Sequence, residues 1–525
     1  MRKEYRKVKK DATRRPDTVA ETALPTSVLP GDPRYEDLAL RRRNERFEHR
    51  PRRFQIVRTT EQVVTAVNDA LRAGDRIAVR SGGHSMENSV GEARGGTVID
   101  MCAMNAVYFD PERDAFVIEA GATLGDVYRQ LYLNWGVTIP GGWGHTVCAG
   151  GHIQGGGYGG LSRRHGSTVD HLLAVEVVVV DEHGRARSVV ASRDPQDPHH
   201  DLWWAHTGGG GGNFGVVTRY WMRTPGSVET PLPRPPATLL SGVLAWPWEG
   251  MTRQAFQALV RHHGEWHRKH SEPDSPYTAL SSLFMLPGRA KRPDAMGLTL
   301  VGLVDGGLPN AQAMMSEFLD AIDPGGEAAR ALLPAQPWLY AMVPPVVDGE
   351  MQRIPEYDRY KGKAGYLRNP FTPAQVDTIY DYLVDPPAEI DLAGVWLNSY
   401  GGRVNAIDPA ATAMAQRDSI LKVVYTAAWP SPKDDEKNID WLRRFYRDVY
   451  AETGGVPVPD GINDGSYINY PDTDLMDPEW NTSGVPWHYL YYKDNYPRLQ
   501  RIKARWDPLN VFRHALSIRP ATDER

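Results

Sequence analysis

The chain has 525 residues with a formal net charge of -5, 24% charged side chains of both signs, and only two cysteines. The charge balance excludes a nucleic-acid footprint and a polyacidic tail, and the cysteine count excludes a disulfide scaffold. The length exceeds what one hydrophobic core usually supports, so two packed units are expected, one interrupted by the other.

Met1 to Asp11 is basic but precedes no apolar h-region. The longest apolar run, around Leu172 to Val180, is too short to span a bilayer. The expectation is a cytoplasmic enzyme, monomeric or homodimeric, with small partners and no membrane or nucleic acid among them. Residues 1–30, charged and proline-containing, are read as a mobile N-terminal extension. Arg53-Phe-Gln-Ile-Val reads as a strand, and Thr59 or Thr60 caps a helix with Val63, Val64, Val67, Ala70 and Leu71 on one face before Gly74 stops it. Ile77 to Val79 is the next strand. This β-α-β unit delivers Arg80-Ser-Gly-Gly-His-Ser85 at a strand's carboxyl end, where open α/β layers place ligands. Strands near Val98-Ile99 and Phe116 to Glu119 and a helix from Leu124 to Trp135 follow, and strands Leu173 to Val180 and Ala186 to Val190 come later.

Between these lies Pro140 to Gly160, in which ten of twenty-one residues are glycine and Cys148, His145, His152 and Tyr158 are interspersed. Glycine lets backbone N–H groups approach a flat or anionic ligand, so the segment reads as a cofactor wall. Cys102, after Val98-Ile-Asp-Met, reads as a core residue. No Gly-Lys-Ser/Thr closes a glycine run, and Gly208 to Gly215 matches G-x-G-x-x-G only by repetition, so P-loop and dinucleotide fingerprints are disfavoured. His145, Cys148 and His152 are ligand-type residues, but no second cluster completes a structural zinc site, and no metal is expected.

Prolines from Thr224 to Pro236 mark a crossing between units. Strands Leu239 to Trp246, Leu298 to Val304, Val395 to Tyr400 and Ile420 to Tyr425 then alternate with helices Arg253 to Trp266, Ala311 to Ile322 and Ala374 to Leu383, the pattern of a sheet layered with helices. Pro287 to Pro293 and Pro344 to Pro355 read as surface loops. Six tyrosines between Tyr467 and Tyr496 supply either pocket walls or interdomain packing, and a helix from Tyr496 to Trp506 follows them.

Arg80 to Ser85, Gly144 to Gly159, Gly208 to Thr218, Asn495-Tyr-Pro-Arg-Leu and Asp507-Pro-Leu-Asn-Val-Phe together resemble the berberine-bridge-type FAD-linked oxidases of the vanillyl-alcohol oxidase superfamily. The resemblance runs from about Gly31 to Ile518. It implies an α+β fold in which a two-part PCMH-type FAD-binding domain, residues 31–225 and a returning C-terminal segment 456–525, encloses an inserted substrate domain, 226–455, of antiparallel sheet covered by helices. His84 matches the histidine joined to the flavin 8α-methyl and Cys148 the cysteine joined to C6, so bicovalent FAD is implied. An imidazole and a thiolate are also the nucleophiles such bonds need. The resemblance lays the flavin against Arg80, Ser81, Gly82, Gly83 and Ser85. Further along it adds Gly144, Thr146, Val147, Gly151, His152, Gly156, Gly157 and Tyr158, then Asn213, Gly215, Val216 and Val217, then Tyr492, Asn495 and Tyr496.

Tyr470 matches the catalytic base of alcohol-oxidising relatives and Tyr400 an assisting tyrosine. A tyrosine base needs its pKa lowered from about 10, with Arg403 and Lys422 the candidate cations. Ser162 stands where some relatives place a further tyrosine. Pro273 to Ala279, Lys363 to Arg368 and Asn481 to Trp487 look closest to bacterial hexose oxidases acting on glycosylated antibiotics. The implied reaction is oxidation of a sugar hydroxyl by hydride transfer to flavin, with O2 giving peroxide. Oxidation or ring closure on a polyketide- or alkaloid-like scaffold stays open at this level, as do the hydroxyl attacked and the extent of oxidation.

Overall fold

The computed structural model describes residues 24–289, 297–343 and 359–521. Residues 1–23 of the expected N-terminal extension, and positions 290–293 and 344–355 of the two expected surface loops, lie outside them. The first sheet has the order β1-β2-β4-β3, with β1 Thr26–Val28, β2 Arg53–Ile56, β3 Ile77–Arg80 and β4 Thr97–Asp100. β2 and β3 both run parallel to β4, and β1 pairs antiparallel with β2. Thr26–Val28, within the stretch expected to be a mobile extension, supplies an edge to this sheet.

The helix Thr60–Arg72 forms as its residues dictate. Thr59 accepts a hydrogen bond from the Gln62 N–H at 3.2 Å, and Gly74 adopts φ +65° after the last turn. A second, antiparallel sheet has the order β5-β6-β9-β7-β8, from β5 Val107–Asp110, β6 Ala115–Glu119, β7 Leu172–Val180, β8 Ala186–Ser192 and β9 Val216–Met222.

The third sheet is seven-stranded and antiparallel throughout. Its strands are β10 Thr238–Trp246, β11 Leu280–Pro287, β12 Leu298–Asp305, β13 Ala329–Pro337, β14 Arg359–Leu367, β15 Leu392–Ser399 and β16 Leu421–Trp429, in the order β13-β10-β12-β11-β15-β16-β14. Helix Ala311–Ile322 packs on β10 and β12, and helix Asp435–Val449 on β14 and β16. β12 alternates buried and half-exposed residues, as a strand covered on one face does. β16 is buried on nearly every residue, because its second face meets the other half of the molecule.

No strand is expected from the sequence at β11, β13 or β14, and of these β14 is the one whose residues least resemble a strand. Its sequence, Arg-Tyr-Lys-Gly-Lys-Ala-Gly-Tyr-Leu, reads as polar and flexible, yet Lys361 to Leu367 are all buried. Its free edge is closed by the C-terminal segment, where the Tyr366 N–H donates to Gly465 O at 2.9 Å and the Arg368 N–H to Ile462 O at 2.8 Å. The same segment continues onto the first part of the chain. Tyr492 Oη donates to Gly209 O at 2.9 Å, and the Ile518 N–H donates to Asn213 Oδ1 at 2.8 Å. Among the described residues no helix is long and apolar enough to cross a membrane.

The interior holds several uncharged histidines. Burial holds the His49 and His206 imidazoles down at about 4 and that of His263 at about 3, and lowers His171 and His267 as well. His263 and His267 share one partner, the Ser282 hydroxyl, at 3.2 and 2.9 Å. In the unfolded chain these rings bind protons below about pH 6.5, whereas in the folded chain His49 and His206 refuse them until about pH 4, His263 until about pH 3, and His171 and His267 until a pH below that of an ordinary histidine. Their contribution to stability is thus complete above about pH 6.5 and is lost as pH falls through that window. Thermal melts should show a steady fall in Tm from about pH 6.5 towards pH 4.5, with proton uptake on unfolding. A Tm unchanged between those limits would contradict this.

Candidate active site

β3 ends in a loop that meets the Gly144–Cys148 segment edge to edge. A Cβ on Gly82 would stand 3.0 Å from Cys148 N and 3.2 Å from its Sγ, and His84 Nε2 lies 3.0 Å from Thr146 Oγ1. Gly83 has φ +72° and its Cβ position is 2.8 Å from Arg41 O, so only glycine fits there. The loop's carbonyls are turned towards residues 41–43: Arg41 Nη1 donates to Ser81 O at 2.9 Å and the Arg43 N–H to Gly83 O at 3.0 Å. Among the described residues, the N–H groups of Gly82, Gly83, His84 and Ser85 have no acceptor. A row of unspent donors beside a histidine and a cysteine fits an acceptor-rich, partly anionic group such as FAD.

Burial, with Arg43 assisting, takes the His84 imidazole down to about 4, so its ring is neutral with a free lone pair. Burial pushes the Cys148 thiol up to about 12 against the pull of Arg41, and Sγ donates to Gly121 O at 3.3 Å. Cys148 is therefore a thiol here and not the ready thiolate anticipated from the sequence. Arg80 also departs from expectation. Its guanidinium is fully buried, donates twice to Asp100 Oδ2 at 2.6 and 2.9 Å and once to Leu38 O at 2.6 Å, and underpins the loop without reaching the ligand side.

Other expected contacts separate in the same way. Ser81, Gly144, Thr146, Val147 and Gly151 remain at least partly accessible around the His84–Cys148 seam. His152 Nε2 accepts from the Gly142 N–H at 3.3 Å, and Gly157 packs beside it. Gly156 is pressed by Met414 Sδ, 2.6 Å from its Cβ position. Val216 and Val217 lie in β9 of the second sheet and Gly215 just before it, where a Cβ would stand 2.5 Å from Val178 O. Asn213 clamps its own loop through Gly209 O and Gly210 O, both at 3.0 Å. Asn495 Nδ2 donates to Pro409 O at 2.8 Å, and Tyr496 Oη accepts from the Arg519 N–H at 3.2 Å. The polar groups of Asn213, Tyr492, Asn495 and Tyr496 are thus spent on backbone, and these residues build the support behind the wall.

The tyrosines converge as one cluster of Tyr158, Tyr366, Tyr400 and Tyr467, with half-buried Tyr470 packed on it. Tyr158 Oη and Tyr470 Oη are 2.9 Å apart. Tyr467 Oη accepts from the Gly157 N–H at 3.1 Å and from Asn469 Nδ2 at 2.9 Å. Tyr400 is 1% exposed and its hydroxyl faces Gln416 O at 3.4 Å, so it backs Tyr158 and makes no bond to Tyr470. Ser162 is buried in a turn, its Oγ accepting from the Gly159 N–H at 3.0 Å. Tyr366 was not singled out from the sequence, and only its place opposite Lys422 in the β14–β16 register brings it here.

Lys422, projecting from β16, is the cation of the cluster, whereas Arg403 is solvent-exposed. Lys422 Nζ is fully buried without a hydrogen-bond partner. It lies 3.3 Å from the Tyr158 ring centroid, 3.4 Å from that of Tyr467, 4.7 Å from Tyr366 and 5.1 Å from Tyr400. Burial lowers its pKa well below the ordinary lysine value. Burial raises the phenols, Tyr400 to about 12 and Tyr158, Tyr366, Tyr467 and Tyr470 upward, while the hydrogen bond with Tyr158 pulls Tyr470 back down. The group in this cluster that holds its proton most loosely is the Lys422 ammonium.

Comparison with known proteins agrees with this geometry. Residues 51–187 match the FAD binding domain family, and residues 466–519 the berberine and berberine like family. The chain is 51% identical over 508 residues to aclacinomycin-N/aclacinomycin-A oxidase of Streptomyces galilaeus, spanning 95% of this chain and 91% of that protein. Against hexose oxidase of Chondrus crispus the identity is 31% over 504 residues, 88% of this chain and 89% of that protein. The crystal structure of a glycopeptide hexose oxidase complexed with teicoplanin superposes with a TM-score of 0.90 at 51% identity, over 94% of this chain and 99% of the other.

A buried ammonium held only by ring faces is an expensive group to keep. Replacing it by an unbranched apolar side chain, Lys422→Met, should leave stability unchanged or raise it by on the order of 1 kcal/mol in urea unfolding. A loss above about 2 kcal/mol would show that the rings hold the charge better than water does.

Proposed function

The chain belongs to the berberine-bridge-type FAD-linked oxidases, and on that premise we propose that it oxidises a hydroxyl group on the sugar of a glycosylated natural product, with O2 as the final electron acceptor. The observation that carries the reading is the Tyr158–Tyr470 phenol pair, 2.9 Å apart, of which Tyr158 sits on the Pro140–Gly160 segment that also presents Cys148. The sugar class is supported by the similarity to a glycopeptide hexose oxidase and a hexose oxidase. Residues 31–225 and 456–525 together form the cofactor unit in this reading, and 226–455 the substrate layer.

FAD, when bound, supplies the two-electron acceptor for the carbinol hydride and passes the electrons to O2. His84 and Cys148 would hold it covalently, His84 through a nitrogen of its neutral imidazole and Cys148 through its sulfur. The open N–H groups of Gly82 to Ser85 would face its acceptor atoms. Tyr470 takes the substrate hydroxyl proton in its phenolate form, having released its own proton first, because hydride leaves an alcohol readily only as the alkoxide forms; burial opposes that ionisation and the hydrogen bond with Tyr158 favours it. Tyr158 holds the Tyr470 oxygen in place and stabilises it as it ionises. Lys422, against the Tyr158 and Tyr467 rings, stabilises negative charge along that phenol chain only while it is protonated, and burial makes that proton easy to lose.

Two outcomes check this reading. After acid denaturation, flavin fluorescence should migrate with the polypeptide. His84→Ala and Cys148→Ala should each keep it attached through the remaining bond, and the double variant should release it; full release from the unmodified protein would sink the attachment claim. In anaerobic mixing with glycosides, Tyr470→Phe should retain flavin but bleach it roughly 10²–10⁴-fold more slowly. Equal rates would move the base elsewhere, and bleaching by aglycones alone would change the substrate class.

A further inference from the structure

Two buried lysines, the half-exposed Arg443 and three carboxylates meet where β14 joins the rest of the molecule. Lys361 and Lys363 lie two residues apart on β14 and so project from the same face, each only 2% exposed. Lys361 Nζ donates to Glu87 Oε1 at 2.6 Å and to Asp472 Oδ1 at 2.8 Å. Lys363 Nζ donates to Asp472 Oδ2 at 2.6 Å and to Asp474 Oδ2 at 2.7 Å. Arg443 closes the set, its Nη2 donating to Asp474 Oδ1 at 2.7 Å. With Arg443 as the third cation, the group is electroneutral.

The positions of the carboxylates give the network its meaning. Glu87 follows His84 by three residues, and Asp472 follows Tyr470 by two. One ammonium, Lys361, therefore holds both the loop that carries the proposed attachment residue and the loop that carries the proposed base. The loops also touch directly, the Thr473 N–H donating to Glu87 Oε1 at 3.4 Å. Between the two lysines, Gly362 lets Met86 of the same loop approach, with Sδ 2.9 Å from its Cβ position. An apolar seam of equal volume would be about as stable, but it would not fix one register of the two loops, whereas paired buried charges tolerate no other.

We infer that the buried network centred on Lys361 and Lys363 is a positioning device that sets the Tyr470 loop at a fixed place relative to the His84 loop. Lys361, Lys363, Glu87 and Asp472 are positioning residues that act through Tyr470 and His84, and the inference rests on the roles proposed for those two. Through them, β14 of the substrate layer sets the distance between base and cofactor.

The test uses the purified holoenzyme and Glu87→Gln, which removes one charge and keeps the side chain's shape. Hydrogen–deuterium exchange is followed well below the melting temperature in peptides covering residues 85–95 and 471–480, beside anaerobic flavin bleaching. Faster exchange is expected in both peptides, although only the first carries the change. Bleaching at saturating substrate should slow on the order of 10–100-fold, with KM altered less than about twofold, as misplacement of a base predicts. Faster exchange confined to residues 85–95, with bleaching as in the unmodified enzyme, would overturn the inference. Should Glu87→Gln fail to fold, Glu87→Asp, which keeps the charge and shortens its reach, carries the same comparison. An unmodified enzyme that bleaches with no alcohol would refute the proposed function instead, and the exchange result would still decide whether the loops are coupled.

Discussion

Charge buried between the substrate layer and the rest of the chain must be neutralised in place, since an unpaired buried ion costs several kcal/mol. Arg163 meets this constraint with carbonyls alone, donating to Leu280 O at 3.0 Å, to His270 O at 2.7 Å and to Tyr400 O. Arg417 uses both Asp170 oxygens, at 2.8 and 3.1 Å. Lys361 and Lys363 use carboxylates from segments more than a hundred residues away. Arg163, just past Gly160, ties that segment to β11 and to Tyr400 after β15, Arg417 ties the loop before β16 to Asp170, and the two lysines tie β14 to Glu87, Asp472 and Asp474. The two halves are thereby held in a single arrangement by directional contacts as well as by apolar burial.

Lys422 is the exception. It is as deeply buried as the others, yet only aromatic faces surround its ammonium. A protein that satisfies its remaining buried cations so thoroughly, and leaves this one among five phenols, concentrates its electrostatic cost where proton movement is wanted. The neighbouring anchors serve the same end. Arg163 fixes the backbone of Tyr400, the Gly157 N–H and Asn469 fix Tyr467, and Tyr158 is left free to pair with Tyr470.

The glycines also have two employments. At Gly82 and Gly83 they let a loop lie flat against Cys148 and the residue 41–43 backbone, with its N–H groups outward. At Gly208, where φ is +143° and Met414 N would be 2.3 Å from a Cβ, and at Gly156, they admit the Met414 segment of the substrate layer. Glycine density thus marks both the cofactor wall and the surface on which the second unit closes.

Local sequence was enough for whatever local physics decides. The capped helix Thr60–Arg72, the alternating strands β10 and β12 and the loop at the end of β3 all follow from spacing, caps and glycine runs. Where partners come from far along the chain, the sequence was silent. β14 reads as a polar stretch because the carboxylates that neutralise its lysines sit at positions 87, 472 and 474. Arg80 reads as a ligand contact until Asp100 is placed beside it. Tyr366 joins the cluster, Arg403 leaves it, and Tyr158 displaces Tyr400 as the neighbour of Tyr470, all through the register of β14, β15 and β16. The sequence by itself determined the elements that caps and short spacing define, and through its family resemblance the cofactor class, because those depend on residue type and local pattern. Which charges are paired, which phenols touch and which cation is left without a partner was decided only by the tertiary structure, because burial and long-range pairing, not residue identity, set the state of an ionisable group.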